Sequence, residues 1–125
     1  MYQLFVEGHF DAAHRLRNYH GRCESLHGHR YKVVVRVEAD EVDRSSGMVC
    51  DFGLLKKYLK EALSRFDHVY LNEVPPFDEI EPSSENLAAA IYGELEPRLA
   101  REQTRLSCVE VWETPTTGAI YSRQA

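Results

Sequence analysis

The sequence predicts an α+β fold: an antiparallel four-stranded sheet with two helices packed on one face. Three observations carry this. Two long N-terminal segments alternate apolar and polar residues with period two, and two later segments repeat apolar residues at helical spacing. Two shorter alternating segments close the chain, so the order is ββααββ.

The first strand runs from Tyr2 to His14, with Tyr2, Leu4, Val6, Phe10, Ala12 and His14 on one face. Gln3, Glu7, His9 and Asp11 take the other face. Arg15 to Leu26 is polar and reads as a loop. The second strand, His27 to Glu38, sets His27, His29, Tyr31, Val33, Val35 and Val37 opposite Arg30, Lys32, Arg36 and Glu38. A turn at Asp43 to Gly47 precedes a helix over Phe52 to Phe66, whose stripe is Leu55, Tyr58, Leu59, Ala62, Leu63 and Phe66. The segment DHVYLNEVPPFDEIEP reads as a loop. Ser83 then has the features of an N-cap, with Glu85 in the first turn and Asn86 at the third position. That helix continues through Leu87, Ala88, Ile91, Leu95 and Leu99, and Pro97 is expected to bend or shorten its last turn. Leu106 to Thr114 and Ala119 to Arg123 complete the sheet.

With 125 residues, no repeat and no linker, residues 1–125 form a single domain. The composition, 43% hydrophobic and 28% charged, is that of a soluble globular chain. No apolar run approaches the roughly 18 residues that span a membrane. MYQLFVEGHF lacks the basic leader and apolar block of a signal peptide, so a cytoplasmic location is the expectation. A net charge of −5 argues against general nucleic-acid binding. The charge is uneven: Arg15, Arg17, Arg22, Arg30, Lys32 and Arg36 face only Glu24 between Ala12 and Val37. This basic run is either a solvated face or an attractor for an anionic substrate. The three cysteines form no CxxC pair. Cys50 and Cys108 stand in apolar surroundings and read as inert core thiols, whereas Cys23 is polar in context and close to histidines.

His27 and His29 are two apart on a strand, so both point the same way, toward the apolar face. His14 ends the apolar face of the first strand. If the two strands pair antiparallel, all three imidazoles meet at one end of the sheet. Burying them is costly without a partner. A zinc ion supplies one and keeps a fourth tetrahedral position for water or substrate.

Cys23 precedes His27 by four residues, and a thiolate beside zinc and Arg22 would serve as a base; the plainer reading is an exposed loop cysteine. Asp67 and His68 form a pair at the end of the first helix that is able to poise a proton. Glu113 shares a face with Val109 and Val111, so it points inward at a strand end. A carboxylate there either grips a guanidine-like edge of a heterocycle or makes a marginal salt bridge.

Five motifs in order, FDAAHRL, CESLHGH, DHVYLN, PSSENLA and WETPTTGAIY, resemble the 6-pyruvoyl-tetrahydropterin synthase superfamily. The closest resemblance is to its bacterial 6-carboxy-5,6,7,8-tetrahydropterin synthase branch, and it covers nearly the whole chain. The resemblance implies a tunnelling fold (T-fold) that oligomerises into a β-barrel, as a trimer or a hexamer of stacked trimers, with active sites between subunits. It implies zinc on His14, His27 and His29, a catalytic Cys23, and a proton relay through His68, Asp67 and Glu113. Glu113 would also anchor the pterin, beside Ser83, Ser84 and Glu85. The implied reaction converts 7,8-dihydroneopterin triphosphate to 6-carboxytetrahydropterin, triphosphate and acetaldehyde, on the path to queuosine, without a nucleotide cofactor. One departure stands out. Glu24 follows Cys23 directly, giving C-E-x-x-H-G-H, and a relative with glutamate at E-x-x-H-G-H makes 6-hydroxymethyl-dihydropterin for folate. A zinc scaffold or a simple hydrolase is the reading from a different class.

Overall fold

The computed structural model describes residues 1–18 and 25–123. β1 (Tyr2–His14) and β2 (His27–Ala39) pair antiparallel along their full length, from Tyr2 opposite Ala39 to His14 opposite His27. The alternation of core-facing residues along both strands fixes this register, because a one-residue slip would turn Phe10, Tyr31, Val33, Val35 and Val37 away from the core. The tight turn at Asp43 follows β2: the Gly47 N–H donates to the Asp43 carbonyl at 2.7 Å, with Gly47 at φ +72°.

α1 (Phe52–Leu63) starts where the Asp51 carboxylate accepts from the Gly53 N–H, and it buries Leu55, Leu59, Ala62 and Leu63. It ends one turn earlier than its apolar stripe suggests, although Phe66 is fully buried in the turn beyond. Gly8 interrupts the inner face of β1 because α1 crosses there. A Cβ on it would meet Leu59 Cδ2 at 3.0 Å and Leu63 Cδ1 at 3.1 Å.

The DHVYLN segment is not all loop. β3 (Val69–Tyr70) runs parallel to β1, with Ala12 opposite Val69, and a single 3-10 turn follows over Leu71–Glu73. α2 (Ser84–Arg101) is capped by the Ser83 hydroxyl accepting from the Asn86 N–H at 3.2 Å. It continues past Pro97 to Arg101 instead of shortening. Pro97 sits on the exposed side, where water can serve the carbonyl that the missing N–H leaves free. β4 (Arg105–Thr114) and β5 (Thr117–Tyr121) form the closing hairpin.

The sheet therefore has five strands, in the order β3-β1-β2-β4-β5, and not four. Its inner face and both helices share one core, including Phe10, Tyr31, Val33, Leu59, Leu87, Ile91 and Val111. Among the described residues the other face carries no helix. Cys50 packs half-buried against that core, but Cys108 does not. Cys108 pairs with Arg36 and alternates with the core-facing Val109, so it belongs to the helix-free face, and a bulge beyond it sets Leu106 opposite Val37. Burial pushes both thiols above the ordinary cysteine pKa.

Candidate metal centre and substrate pocket

The β1–β2 register brings His14 and His27 directly opposite each other, with His29 next on the same face. The three rings pack edge-on, with centroids 4.6 to 5.2 Å apart, and their candidate ligand atoms lie within 4.8 Å of one another. The hydrogen bonds fix which nitrogen of each ring is available. His14 Nδ1 lies 2.8 Å from the Pro82 carbonyl and His27 Nδ1 lies 2.6 Å from the Ser25 carbonyl. A carbonyl only accepts, so both Nδ1 atoms carry the proton and both Nε2 atoms are bare. These two Nε2 atoms are 3.0 Å apart. His29 Nε2 is buried and has no hydrogen-bond partner among the described residues.

Two lone pairs facing each other beside a third, orphaned nitrogen is an arrangement that asks for a cation. A proton serves poorly: burial holds His14 and His29 below the ordinary imidazole pKa, against the upward pull of Glu113. The donor set, three neutral imidazole nitrogens, fits a zinc ion with an open coordination position.

Glu113 reaches this centre. Its Oε1 is 3.9 Å from His14 Nε2, and its side chain is 23% exposed. The register of the β4–β5 hairpin shifts between Trp112 and Thr114, so Glu113 occupies an irregularity that aims it at the strand end. Glu113 also borders a depression of about 270 Å³ with Leu16, Ser83, Ser84, Glu85, Thr117 and Gly118. The serine pair and Glu85 thus meet Glu113 at one site, at the N-terminus of α2.

Asp67 and His68 stand apart from the histidines. The Asp67 carboxylate accepts from the Asp11 N–H at 2.9 Å and lies 2.9 Å from His68 Nδ1. The Asp11 N–H holds Asp67 below the usual carboxylate pKa, with His68 adding to the effect. His68, at φ +59°, is 77% exposed, and among the described residues it makes no ring contact with the three histidines. It shares only a shallow depression of about 480 Å³ with His29, over Ala12, Ala13 and Gly28. Cys23, Glu24 and Arg22 lie outside the described residues.

Of the basic run, Arg17 pairs with Glu81, Arg30 with Asp11 and Arg36 with Glu110, so these charges are answered within the chain. The groups that sequence reasoning missed are the Pro82 and Ser25 carbonyls, which leave no side-chain signal. Tyr31, assigned only to the core, also lies here, with its hydroxyl 3.1 Å from His14 Nδ1.

Residues 3–124 match the family profile described as 6-pyruvoyl tetrahydropterin synthase. The chain belongs to that family. It is 37% identical to the 6-carboxy-5,6,7,8-tetrahydropterin synthase of Synechocystis over 97% of this chain and 93% of that one. It is 33% identical to the enzyme of the same name from Bacillus subtilis, over 96% and 84% of the two chains. Among solved structures, the 6-pyruvoyl tetrahydropterin synthase of Caenorhabditis elegans superposes with a TM-score of 0.89 at 30% identity, covering 98% of this chain and 96% of that one. The five-stranded sheet with two helices is thus the fold of the 6-pyruvoyl tetrahydropterin synthase family. No helix is long and apolar enough to cross a membrane among the described residues.

Proposed function

We propose that this chain is a zinc-dependent 6-carboxy-5,6,7,8-tetrahydropterin synthase, which converts 7,8-dihydroneopterin triphosphate to 6-carboxytetrahydropterin, triphosphate and acetaldehyde for queuosine synthesis. The observation that carries this reading is the convergence of two bare imidazole nitrogens and a third, buried and unpartnered among the described residues, beside an inward carboxylate, in a chain whose bacterial relatives bear that name. His14, His27 and His29 would hold a zinc ion, which would supply Lewis-acid polarisation of the substrate's side-chain hydroxyls.

The chain's own residues do the rest. Glu113 accepts two hydrogen bonds from the guanidine-like edge of the pterin and fixes its orientation, with Ser83, Ser84 and Glu85 along the same depression. Cys23, as thiolate, takes the proton from the side-chain carbon next to the ring, and the electron pair passes into the ring C=N bond, whose nitrogen is protonated. The side-chain ketone that results acidifies the next carbon, so that the triphosphate leaves with its C–O electron pair. Asp67 holds His68 as the exchangeable acid of the relay.

The active unit is a closed homo-oligomer, a trimer or a hexamer, in the cytoplasm. β3 covers only Ala12 and Ala13 on the outer side of β1, and β5 has a strand partner on one side only. The exposed Phe5 and Ile120 add apolar surface on these strands.

A second reading rests on Glu24, which follows Cys23 directly. A carboxylate base there would give 6-hydroxymethyl-dihydropterin for folate, alone or alongside the carboxy product. Incubating zinc-loaded protein with dihydroneopterin triphosphate and identifying the products by mass spectrometry separates the two. Water-derived hydrolysis products would indicate a simple hydrolase, and no turnover a zinc-binding scaffold; either outcome sinks the synthase reading.

A further inference from the structure

The service that His14 can render a cation depends on the Pro82 carbonyl: the Tyr31 hydroxyl near the same nitrogen can donate or accept, whereas the carbonyl only accepts and so puts the ring proton on Nδ1. Pro82 itself is held from both sides. After it, Ser83 caps α2. Before it, the Glu81 carbonyl accepts from Asn86 Nδ2 at 2.9 Å, and the Glu81 carboxylate accepts from the Arg17 N–H at 2.6 Å and from Arg17 Nη1 at 3.3 Å.

Arg17 does more than pair with Glu81. Its guanidinium also donates to the carbonyls of Ile80 at 3.1 Å, Asn72 at 3.2 Å and Phe77 at 2.6 Å. Asn72, 8% exposed, accepts from the Arg15 N–H at 2.9 Å and donates to the Arg15 carbonyl at 2.8 Å. The chain leaving His14 is therefore stitched through Arg15 and Arg17 to the segment that ends in Pro82. A partly exposed ion pair alone contributes little. A planar fork that satisfies three backbone carbonyls and a carboxylate is a different case, and lysine has no such fork.

The geometry points to Arg17 as a positioning residue that holds the Pro82 carbonyl against His14, fixes the Nδ1-protonated tautomer and so presents Nε2 to a divalent cation. The cation half of this inference rests on the zinc reading; the tautomer half does not. Second-sphere partners of this kind typically change metal affinity about ten- to a hundredfold.

The test combines long-range ¹⁵N–¹H correlation spectra of the metal-free protein with zinc affinity from chelator competition. The wild type is expected to show His14 as a single Nδ1-protonated tautomer. Arg17→Ala is expected to give a tautomer mixture and to bind zinc about ten- to a hundredfold more weakly, with Arg17→Lys shifted the same way to a smaller degree. Leu99→Ala, a core truncation at the far end of α2, is expected to lower the melting temperature but leave tautomer and affinity unchanged. If Arg17→Ala does not fold, Arg17→Lys and Glu81→Gln carry the comparison. An Nε2-protonated His14 in the wild type, unchanged spectra and affinity in the Arg17 variants, or an equal effect of Leu99→Ala overturns the inference. A wild type with the Nδ1 tautomer but no zinc uptake leaves the positioning intact and removes the zinc reading.

Discussion

Replacing Glu113 with glutamine removes one negative charge from the site and little else, since length and one acceptor oxygen are kept. The size of the effect follows from its position. Two unit charges about 4 Å apart interact by about 4 kcal/mol at an effective dielectric of about 20, and since the imidazole of His14, 3.9 Å away, is neutral, the charge Glu113 would meet is that of a bound ligand. That sets a ceiling. The carboxylate is 23% exposed, so water screens it and must be stripped from it when a ligand binds. The net loss for a pterin that uses Glu113 falls to the range of a charge-assisted hydrogen bond, about 1.5–3 kcal/mol, or roughly ten- to a hundredfold in Kd. Isothermal titration of zinc-loaded Glu113→Gln with an unreactive pterin reads this directly, and metal analysis of the same sample reports the zinc. Weakened pterin binding and turnover at full zinc content is the expected result. Unchanged affinity would make Glu113 a marginal ion-pair residue, and loss of zinc would move its role from the pterin to the metal.

The histidine assignment predicts that His27→Ala and His29→Ala each lose most bound zinc and all turnover; full zinc occupancy in both variants refutes it. Cys23→Ala is expected to abolish the 6-carboxy product, and Glu24→Ala to spare it while removing any 6-hydroxymethyl product; the reverse pattern would transfer the base to Glu24. Metal-free protein should lose stability as pH falls below about 6.5, the ordinary histidine value. His14 and His29 have depressed pKa values when folded, so there the unfolded chain binds more protons. Thermal melts of chelated protein between pH 7.5 and 5.5 would show this, and a melting temperature that rises with acidification contradicts it.

Alternation over whole strands made β1 and β2 legible in the sequence, and with them the histidine centre, because both ladder ends coincide at His14 and His27. The Ser83 cap was equally legible, since its hydroxyl and Asn86 are local to one turn. β3 was not, because two residues are too few to show a period and their partner lies on a strand more than fifty residues earlier. Cys108 was misplaced for a related reason. Its neighbours Leu106 and Val109 suggest a core position, but alternation from the inward Val109 and Val111 turns Cys108 outward, and only the bulge beyond it brings Leu106 back to the core. The basic run was visible as charge, but its carboxylate partners Glu81, Asp11 and Glu110 come from distant segments or across a strand pair. Its use as internal bracing therefore emerged only from tertiary structure.

The separation of Asp67 and His68 from the histidines bears on how a proton relay would work. Within one chain, Asp67 is tied to the backbone of Asp11, and the His68 ring is 77% exposed at the β3 edge of the sheet. A group so exposed has no fixed acid–base partner beyond Asp67 among the described residues, and solvent would exchange its proton as readily as substrate would. A second copy laid along that edge would change both conditions, because it would exclude water and bring its own strand end toward His68. The opposite edge, β5, directly follows the segment that carries Glu113 and borders the Ser83–Glu85 depression. If β5 of one copy meets the β1–β3 edge of the next, the relay pair of one subunit lies beside the carboxylate and histidines of its neighbour. On the proposed relay, the Asp67–His68 pair would then act only within such an assembly, and a single subunit would bind the proposed zinc ion while lacking a complete catalytic site.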